Sequence, residues 1–420
     1  MSKMKNSGVA WIGDIPENWS LIRFMYKWKN IKEIVGEASD EYERLALTIN
    51  GVIKRPKDDS EGLQPKAFDG YQILRENNFI FKMIDLQNIS TSRVGLSPYT
   101  GLVSPAYIRF APKIEGQFSK YTYYFLMSMY YNCVYNNLGG DGVRSALNSS
   151  DMGSFVIPFP DDETQRRIAK YIDLHIVNAG ALITNVQAQI EKLKAYKQSV
   201  ITEVVTKGLD PNVPMKDSGV ERIGEIPEAW GTIRIKYLLR ERKERSVDGS
   251  EEPLSMSQKV GLVPTRMLDM IPNMASSFVG AKLTYVDDLV FNKLKAHLGV
   301  FSVSKYDGLV SPDYAVYYST GKVHLKYLEY LFKTPQCISE FRKRSTGIAA
   351  GLTRLYTDGL FAIECPFPSM DDQVAIVEHL NTKCDQIDQL IAIKQKKIDK
   401  LNAYKKSLIY EYVTGKKEVP

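Results

Sequence analysis

The stretch KLKAYKQSVITEVVT at Lys192–Thr206 returns as KLNAYKKSLIYEYVT at Lys400–Thr414, 208 residues later. Two other segments return at offsets of 211 and 207 residues: SGVAWIGDIPENW at Ser7–Trp19 as SGVERIGEIPEAW at Ser218–Trp230, and GLVSPAY at Gly101–Tyr107 as GLVSPDY at Gly308–Tyr314. Solenoid repeats are only about 20 to 50 residues long. The long and steady offset therefore predicts two copies of one domain arrangement in a single chain.

The composition is that of an ordinary globular chain, with 44% hydrophobic and 25% charged residues among 420. This length has room for two domains, each with its own core. No run approaches the roughly 18 apolar residues of a membrane-spanning helix, and the N-terminal residues lack the apolar stretch of a signal peptide. We therefore expect a cytoplasmic protein. The net charge of +6 favours a polyanionic partner only weakly.

The cysteines give no sign of a structural framework. The four of them are far apart and form no CxxC pair: Cys133, Cys337, Cys365 and Cys384. Such a pattern indicates neither a set of disulfides nor a zinc site.

Each copy begins with short aromatic and β-branched runs separated by Gly, Pro, Asn and Ser, which predicts an α+β domain with short strands. The runs are Tyr71–Ile84, Leu102–Phe110, Leu283–Phe291 and Leu309–Tyr318. A Pro-Phe-Pro sequence follows at residues 158–160 and again at 366–368. Because proline continues neither a helix nor a strand ladder, we expect a domain boundary at each.

A long proline-free stretch follows each boundary and carries apolar residues at heptad spacing, which predicts coiled-coil helices. In the first, Asp162 with Gln165 predicts the start of the helix, and Gly208 with Pro211 predicts its end. Its seam positions are Ala169, Ile176, Ile183, Ile190 and Val204 at a, and Ile172, Ala179, Val186, Leu193 and Val200 at d. Those of the second are Val377, Cys384, Ile391, Ile398 and Tyr412 at a, and Leu380, Ile387, Leu401 and Leu408 at d.

Lysines interrupt both seams: Lys197 and Lys405 at a positions and Lys394 at a d position. A lysine in the seam either fixes register and partner choice or extends outward into water. Both interpretations remain open from the sequence.

A helix of about 40 residues is roughly 60 Å long and is not stable alone in water, so each helix must pack against a partner. The simplest partner is the other copy in antiparallel orientation, because the connecting segment Gly208–Ser218 is short. The alternatives are that each helix packs on its own domain or mediates dimerisation between chains. We predict an α+β fold of two tandem-repeat globular domains separated by two long helices that form an antiparallel coiled coil. The predicted globular domains are 1–160 and 209–368, and the helices are 161–208 and 369–420.

The order of these segments resembles the specificity subunit of type I restriction-modification systems, over essentially the whole chain and in both copies. The resemblance rests on the Gly-[Glu/Asp]-Ile-Pro-x-x-Trp opening, DDLVFNKLKAHLG at Asp287–Gly299, GLVSPxY, the Pro-Phe-Pro boundary followed by Gln165 or Gln373, and the helix end KLxAYKxSxI. No single motif is diagnostic, but their order and duplication are specific together.

The resemblance implies that the globular domains are target recognition domains, each reading one half of a bipartite DNA site. It implies that the helices set the spacing between the half-sites and dock two methyltransferase subunits, with restriction subunits joining them. It also implies a noncatalytic subunit, with S-adenosylmethionine, ATP and magnesium on its partners and no cofactor in this chain. The assembled complex would be a DNA adenine methyltransferase and an ATP-dependent endonuclease.

The residues agree independently that this chain is not an enzyme. The sequence contains no [Asn/Asp]-Pro-Pro-Tyr motif, no Phe-x-Gly-x-Gly motif and no phosphate-binding loop. Its histidines are scattered, and we interpret them as structural or surface residues: His175, His297, His324 and His379. We predict neither a catalytic nor a metal site.

Two Gly-rich loops carry the hydrogen-bond donors that direct readout of DNA needs. They are LGGDGVRSALNSSD at Leu138–Asp151 and KRSTGIAAGLTRLY at Lys343–Tyr356. Glycine lets backbone amides approach a phosphate. The predicted DNA-contacting side chains in these loops are Arg144, Asn148, Ser149, Arg344, Thr346 and Arg354. The alternative is a pair of surface loops whose arginines only solvate them.

Lys82 and Lys293 occur at matching places in FIFKM and VFNKL. Because two domains with different targets share them, a phosphate contact or an architectural role is favoured over base readout. Residues that read bases are expected where the copies differ. These are Lys54, Arg55, Lys57, Gln87, Asn88 and Arg93 in the first copy, and Arg266, Asn273 and Lys295 in the second.

Two other functions remain open from the sequence. One is a noncatalytic coiled-coil scaffold with paired interaction domains, which would lack salt-dependent, sequence-selective affinity for DNA. The other is a single-chain nuclease or methyltransferase, which would bind its cofactor without partners.

Overall fold

The chain folds into two units in the computed structural model, and each unit contains part of both long helices. Unit 1 comprises Met1–Gln187 and Lys396–Pro420, and unit 2 comprises Ala188–Gln395. The structure describes residues 3–48, 51–59, 65–84, 93–138, 146–258, 260–268, 277–347 and 353–420.

The first half of the chain forms short strands and short helices followed by one long helix. The strands are β1 (Met4–Asn6), β2 (Asp14–Pro16), β3 (Ser20–Arg23), β4 (Trp28–Asn30), β5 (Arg44–Thr48), β6 (Gly51–Arg55), β7 (Gln72–Leu74), β8 (Phe79–Phe81), β9 (Val94–Leu96), β10 (Gly101–Val103), β11 (Ile108–Pro112) and β12 (Val156–Phe159). The helices are α1 (Lys120–Tyr131), α2 (Val134–Leu138), α3 (Ser149–Ser154) and α4 (Asp162–Lys207).

The second half repeats this order. Its strands are β13 (Met215–Asp217), β14 (Glu225–Pro227), β15 (Gly231–Arg234), β16 (Leu239–Glu241), β17 (Leu254–Ser257), β18 (Gly261–Pro264), β19 (Lys282–Thr284), β20 (Leu289–Asn292), β21 (Phe301–Val303), β22 (Gly308–Val310), β23 (Tyr314–Ser319) and β24 (Glu364–Phe367). Its helices are α5 (Leu325–Phe332), α6 (Pro335–Arg344), α7 (Thr357–Phe361) and α8 (Met370–Val413).

The two units share one sheet topology. A four-stranded sheet has the order β4-β11-β8-β9 in unit 1 and β16-β23-β20-β21 in unit 2. A second sheet in unit 1 has the order β6-β5-β10-β7, and the matching strands of unit 2 pair as β17-β18 and β19-β22. In unit 2, a parallel bridge between Pro253 and Leu309 takes the place of the parallel pairing of β5 with β10 in unit 1. The predicted strand runs and the α+β fold are confirmed in both copies.

Two glycines explain why GLVSPxY recurs. A Cβ atom at Gly101 or Gly308 would lie 2.5 Å or less from a backbone carbonyl oxygen, that of Glu43 or of Glu252. This is well inside van der Waals contact, so only glycine allows the strands to approach this closely. The segment is therefore a packing requirement of the repeated sheet.

The Pro-Phe-Pro sequences do not break the strands as expected. The first two residues of each belong to a strand, β12 paired with β3 in unit 1 and β24 paired with β15 in unit 2. Each pair is a two-stranded sheet. Both strands are therefore edge strands, where proline is tolerated because one side of the backbone needs no ladder hydrogen bond.

The glutamine after each Pro-Phe-Pro sequence fixes the start of a long helix. Gln165 Nε2 donates to the carbonyl of Pro160 at 2.8 Å, and Gln373 Nε2 donates to that of Pro368 at 3.0 Å. The cap of α4 is Asp161 rather than the predicted Asp162, since Asp161 Oδ1 accepts from the amide of Thr164 at 2.8 Å. The helix ends as predicted, with residue 208 a glycine at φ 81°.

In unit 1 the start of α4 packs against the end of α8. The rings of Tyr171 and Tyr412 lie 4.7 Å apart between centroids. The buried core of the unit includes residues from both helices: Ile168, Ala169 and Ile172 of α4, and Leu408, Ile409, Tyr412 and Val413 of α8.

In unit 2 the end of α4 packs against the start of α8. Lys197 Nζ donates to Asp388 Oδ2 at 2.6 Å, and Lys394 Nζ donates to Gln189 Oε1 at 2.6 Å. Residue numbers rise along α4 as they fall along α8, so the helices are antiparallel. These two seam lysines extend to polar partners on the other helix. Every predicted apolar seam residue is buried or half-buried, which confirms the heptad register.

A buried tyrosine ties each globular part to the end of one long helix. The Tyr121 hydroxyl lies 2.8 Å from the carbonyl oxygen of Pro158 and 2.9 Å from that of Val413. The Tyr327 hydroxyl donates to the carbonyl of Val205 at 3.0 Å. Burial raises the pKa of both phenols well above the usual value. Each unit is thus completed by the C-terminal end of the long helix that the other sequence repeat contributes.

Candidate nucleic-acid interface

Backbone hydrogen bonds place the two Gly-rich loops at equivalent positions. The amide of Leu147 donates to the carbonyl of Met83 at 3.1 Å, and that of Leu355 donates to the carbonyl of Lys293 at 3.0 Å. Each loop therefore returns to the residues just after one strand, β8 in unit 1 and β20 in unit 2. A short helix then follows in both units, α3 or α7.

Lys82 and Lys293 do not occupy equivalent positions, which corrects the sequence-based pairing. The amide of Lys82 donates to the carbonyl of Arg93, just before β9, at 2.9 Å. The amide of Asn292 donates in the same way to the carbonyl of Val300, just before β21, at 3.1 Å. Lys82 therefore corresponds to Asn292, and Lys293 corresponds to Met83, which is 1% exposed. Because neighbouring residues of an extended chain point to opposite sides, the argument for phosphate contact from a shared lysine fails.

The first Gly-rich loop is anchored by a helix cap. Asn148 Oδ1 accepts from the amides of Ser150 at 2.8 Å and Asp151 at 3.0 Å, and Asp151 Oδ2 accepts from the amide of Asn148 at 2.8 Å. Ser149 is half-buried at the start of α3. The predicted DNA-contacting Asn148 thus has a structural role through Oδ1, in which Nδ2 takes no part. Arg144 lies outside the described residues.

The second Gly-rich loop is closed at its base by two predicted residues. The amide of Thr346 donates to the carbonyl of Arg354 at 3.0 Å, and the reverse bond measures 2.8 Å. Arg354 Nη2 lies 3.6 Å from Asp313 Oδ1. Arg344 lies further back on α6 and pairs with Glu340 at 2.5 Å. The structure therefore brings Thr346 and Arg354 together at the base of the loop.

Several predicted base-reading residues of unit 1 have other partners. Arg93 is 1% exposed, so the structure does not present its side chain to a ligand, which contradicts the prediction. The ion pairs of the others are Lys54 with Glu43 at 2.5 Å, Arg55 with Asp59 at 2.6 Å and Lys57 with Asp40 at 3.3 Å. The hydrogen bond with Glu43 raises the pKa of Lys54. Gln87 and Asn88 lie outside the described residues.

In unit 2 the corresponding predictions concern exposed cations. Arg266 is exposed and pairs with Glu252 at 3.2 Å. Lys295 is also exposed. Both side chains are accessible to a ligand, and their contact with DNA stays a prediction. Asn273 lies outside the described residues.

Two cations of unit 2 were missed by reasoning from the sequence. Lys282 is only 8% exposed, and its Nζ lies 3.4 Å from Glu241 Oε1. Arg245 faces Lys282 across a β-bridge. Gln72 holds the place of Lys282 in unit 1, since Gln72 pairs with Val103 and Lys282 with Val310. Comparing the copies residue by residue would have shown this change of charge.

The described part of the chain offers no metal site, in that no group of three or more His, Cys, Asp or Glu side chains is placed to hold an ion. None of the helices described here is long and apolar enough to span a bilayer.

Comparison with known proteins gives one consistent family. The family model described as type I restriction modification DNA specificity domain matches residues 40–192. The specificity subunit of the type I restriction enzyme MjaVIII from Methanocaldococcus jannaschii is 22% identical over 424 residues, which cover 96% of this chain and 93% of that protein. The chain is similar to the specificity subunits of type I restriction-modification systems along nearly its whole length.

Other similar proteins agree. The putative type I restriction enzyme MjaX specificity subunit of the same organism is 26% identical over 281 residues, 65% of this chain and 62% of that protein. A solved structure described as the basis of complex assembly and conformational transition of the type I R-M system matches with a TM-score of 0.68, at 12% identity and over 95% of this chain and 98% of that one. That likeness shows the fold, with its long helices and repeated globular parts.

Proposed function

We propose that this specificity subunit binds double-stranded DNA and that each unit reads one half of a bipartite site. The proposal rests on one observation: the units share a topology and a backbone register, while the side chains at equivalent positions differ. Asn148 caps α3, for example, where Tyr356 precedes α7. A shared scaffold with different surface side chains suits two base sequences read in the same kind of groove.

The long helices would set the distance between the half-sites. With 46 residues in α4 and 44 in α8, each helix is about 65–70 Å long. An antiparallel pair with an apolar seam is stiffer than a flexible linker, so it would hold a fixed gap.

The outer faces of these helices support the proposal that they dock two methyltransferase subunits, which restriction subunits then join. Leu174 and Val177 on α4 are 58% and 67% exposed, and Ile393 on α8 is 64% exposed. Apolar side chains exposed in this way indicate a surface that a partner covers.

The chemistry would belong to the partners. We propose that S-adenosylmethionine, ATP and magnesium bind the methyltransferase and restriction subunits, and that this chain takes no cofactor. The assembly would methylate adenine, cleave DNA with ATP and work in the cytoplasm.

Sequencing of methylated adenines tests this function. The chain is expressed with its methyltransferase subunit in a host that lacks adenine methylation, and the genome is sequenced for modified bases. The expected motif has two specified halves separated by a fixed number of unspecified base pairs. A continuous motif, or a methylation pattern that does not depend on this chain, would contradict the proposal.

A noncatalytic scaffold with paired interaction domains is the second candidate, and the exposed apolar residues of the helices favour it equally. Salt titration of DNA binding separates the two. A DNA reader loses affinity linearly in log-log form as salt rises, with a slope set by the number of phosphates it contacts. A protein scaffold would bind DNA with neither that slope nor a preference between sequences.

A further inference from the structure

Among the described residues, unit 2 contains a cluster of cations at positions that are uncharged in unit 1. Its members are Arg245, Lys282 and Lys293, together with the anion Glu241. The matched positions of unit 1 are uncharged: Ile34, Gln72, Met83 and Asn30. The strand pairs, the isolated bridges and the backbone bond after β8 or β20 establish the four matches.

Lys282 is the least expected member, because a buried ammonium is costly unless it is fully paired. Gln72, its counterpart, donates to the carbonyls of Ser104 at 3.1 Å and Tyr107 at 2.7 Å. Lys282 reaches Glu241 at 3.4 Å instead. That separation makes a weak ion pair for a side chain only 9% exposed.

Glu241 neutralises the cluster only in part. Its other oxygen, Oε2, accepts a hydrogen bond from Thr357 Oγ1 at 2.7 Å. The ion pair of Glu241 in this cluster is with Lys282. Burial lowers the pKa of Lys282; Glu241 raises it, while Lys293 and Arg245 lower it further through repulsion.

The backbone brings two of the cations to one side. Arg245 and Lys282 are directly opposed in an antiparallel bridge, so their side chains lie on the same face of the strand pair, where like charges destabilise the fold. Lys293 accepts the backbone bond of Leu355, and Thr357 begins α7. The cluster thus lies where the second Gly-rich loop rejoins the sheet. An anion bound there would relieve the repulsion.

We propose that Arg245, Lys282 and Lys293 bind a backbone phosphate of the half-site that unit 2 reads, and that unit 1 has no equivalent contact. The inference rests on the proposed function, since it names the anion as a phosphate of DNA. Unit 2 therefore contributes more of the salt-dependent affinity for DNA than unit 1 does.

The sequence of unit 1 supplies the test variants, because each replacement already packs at the equivalent place. Lys282→Gln, Lys293→Met and Arg245→Ile are compared with wild type in the assembled methyltransferase complex, by titrating salt against a duplex that carries the methylated motif. Because the three cations contact one phosphate, the triple variant should lower the slope of log affinity against log salt by about one, and each single change should lower it by less. Glu241→Asn, which removes the anion, should raise affinity or leave it unchanged. Lys322→Gln, an exposed lysine before α5, is the control and should leave the slope unchanged.

A second measurement locates the phosphate. Methylphosphonates, which remove one charge, are placed singly along the half-site of unit 2. One position should weaken binding by wild type and leave binding by the Lys282→Gln/Lys293→Met variant unaffected, whereas positions in the other half-site should weaken both alike.

The outcomes separate the inference from the function on which it rests. If wild type binds its motif and the three variants keep the full slope, the cluster is a structural ion-pair group and the inference is overturned. If the variants fail only in capturing the methyltransferase, the anion is an acidic side chain of that partner, and the inference is again overturned. If wild type shows no salt-dependent preference for any duplex, the proposed function itself fails.

Discussion

Ile409 and Ile201 allow a sharp test of how each unit is completed. They lie at the same place in the repeated helix end, 208 residues apart. Ile409 is 2% exposed in the core of unit 1, and Ile201 is 6% exposed in the core of unit 2. Ile409 therefore stabilises a globular part that begins more than 400 residues earlier in the chain.

Replacing either isoleucine by alanine removes three buried carbon atoms and leaves a cavity. Such a change costs about 2–5 kcal/mol in a well-packed core. A single domain is stable by only about 5–15 kcal/mol, so one unit should loosen measurably while the other stays intact. The matched change in the other helix is the control for each variant.

Hydrogen–deuterium exchange resolves the two units by peptide. Ile409→Ala should speed exchange in α1, residues 120–131, and leave α5, residues 325–332, unchanged. Ile201→Ala should do the opposite. Faster exchange in α5 from Ile409→Ala, or no change beyond α8 itself, would refute the conclusion that each helix end completes the unit described here.

Three further predictions concern stability and DNA binding. Tyr121→Phe and Tyr327→Phe each remove a buried hydroxyl, and each should lower the free energy of unfolding in urea by about 1–2 kcal/mol. Equal losses are expected from this matched pair, and a loss from only one variant would contradict their equivalence. Burial alone would raise the pKa of Glu329, but Lys333 and Lys326 outweigh this effect and the pKa is lowered. Its stabilisation should therefore be complete above its ordinary value of 4.5 and be lost as the pH falls through the lowered value. The difference in Tm between wild type and Glu329→Gln should shrink as the pH falls from about 6 to about 3. A constant difference would exclude the ion pairs of Glu329 with these lysines as the source of the stabilisation. Arg354→Ala should weaken binding to the motif and lower base selectivity in one half-site only, as measured on single-base variants of the duplex. Lower selectivity in both half-sites would count against a contact from unit 2.

The repeat and the helices could be predicted because they follow from local patterns. Heptad spacing gave the seam, and the antiparallel orientation followed from the short connection. The prolines at residues 158 and 366 predicted a strand break that does not occur. Whether a strand tolerates proline depends on whether it lies at the edge of a sheet, and so on which strands pair with it. That information lies in the sheet and not in the local sequence.

The candidate interface was less predictable, because exposure and register decide it. Arg93 has the side chain of a base reader and is buried. Lys82 and Lys293 look equivalent in the sequence, yet a shift of one residue puts Met83 at the place of Lys293. Lys282 was missed because a lysine inside a short strand reads as an ordinary surface residue until its burial and its neighbours are known.

The most direct test of the claim that each unit reads its own half-site is to give both units the same recognition part. The paired strands place Ser20 opposite Phe159 and Gly231 opposite Phe367, so residues 19–158 can replace residues 230–366 between matched positions. The methylated motif of this chimera, with its methyltransferase subunit, is then read by sequencing. Two halves that specify the same bases, with one half of the original motif retained, are the predicted result; an unchanged motif, or one altered in both halves, would contradict the claim.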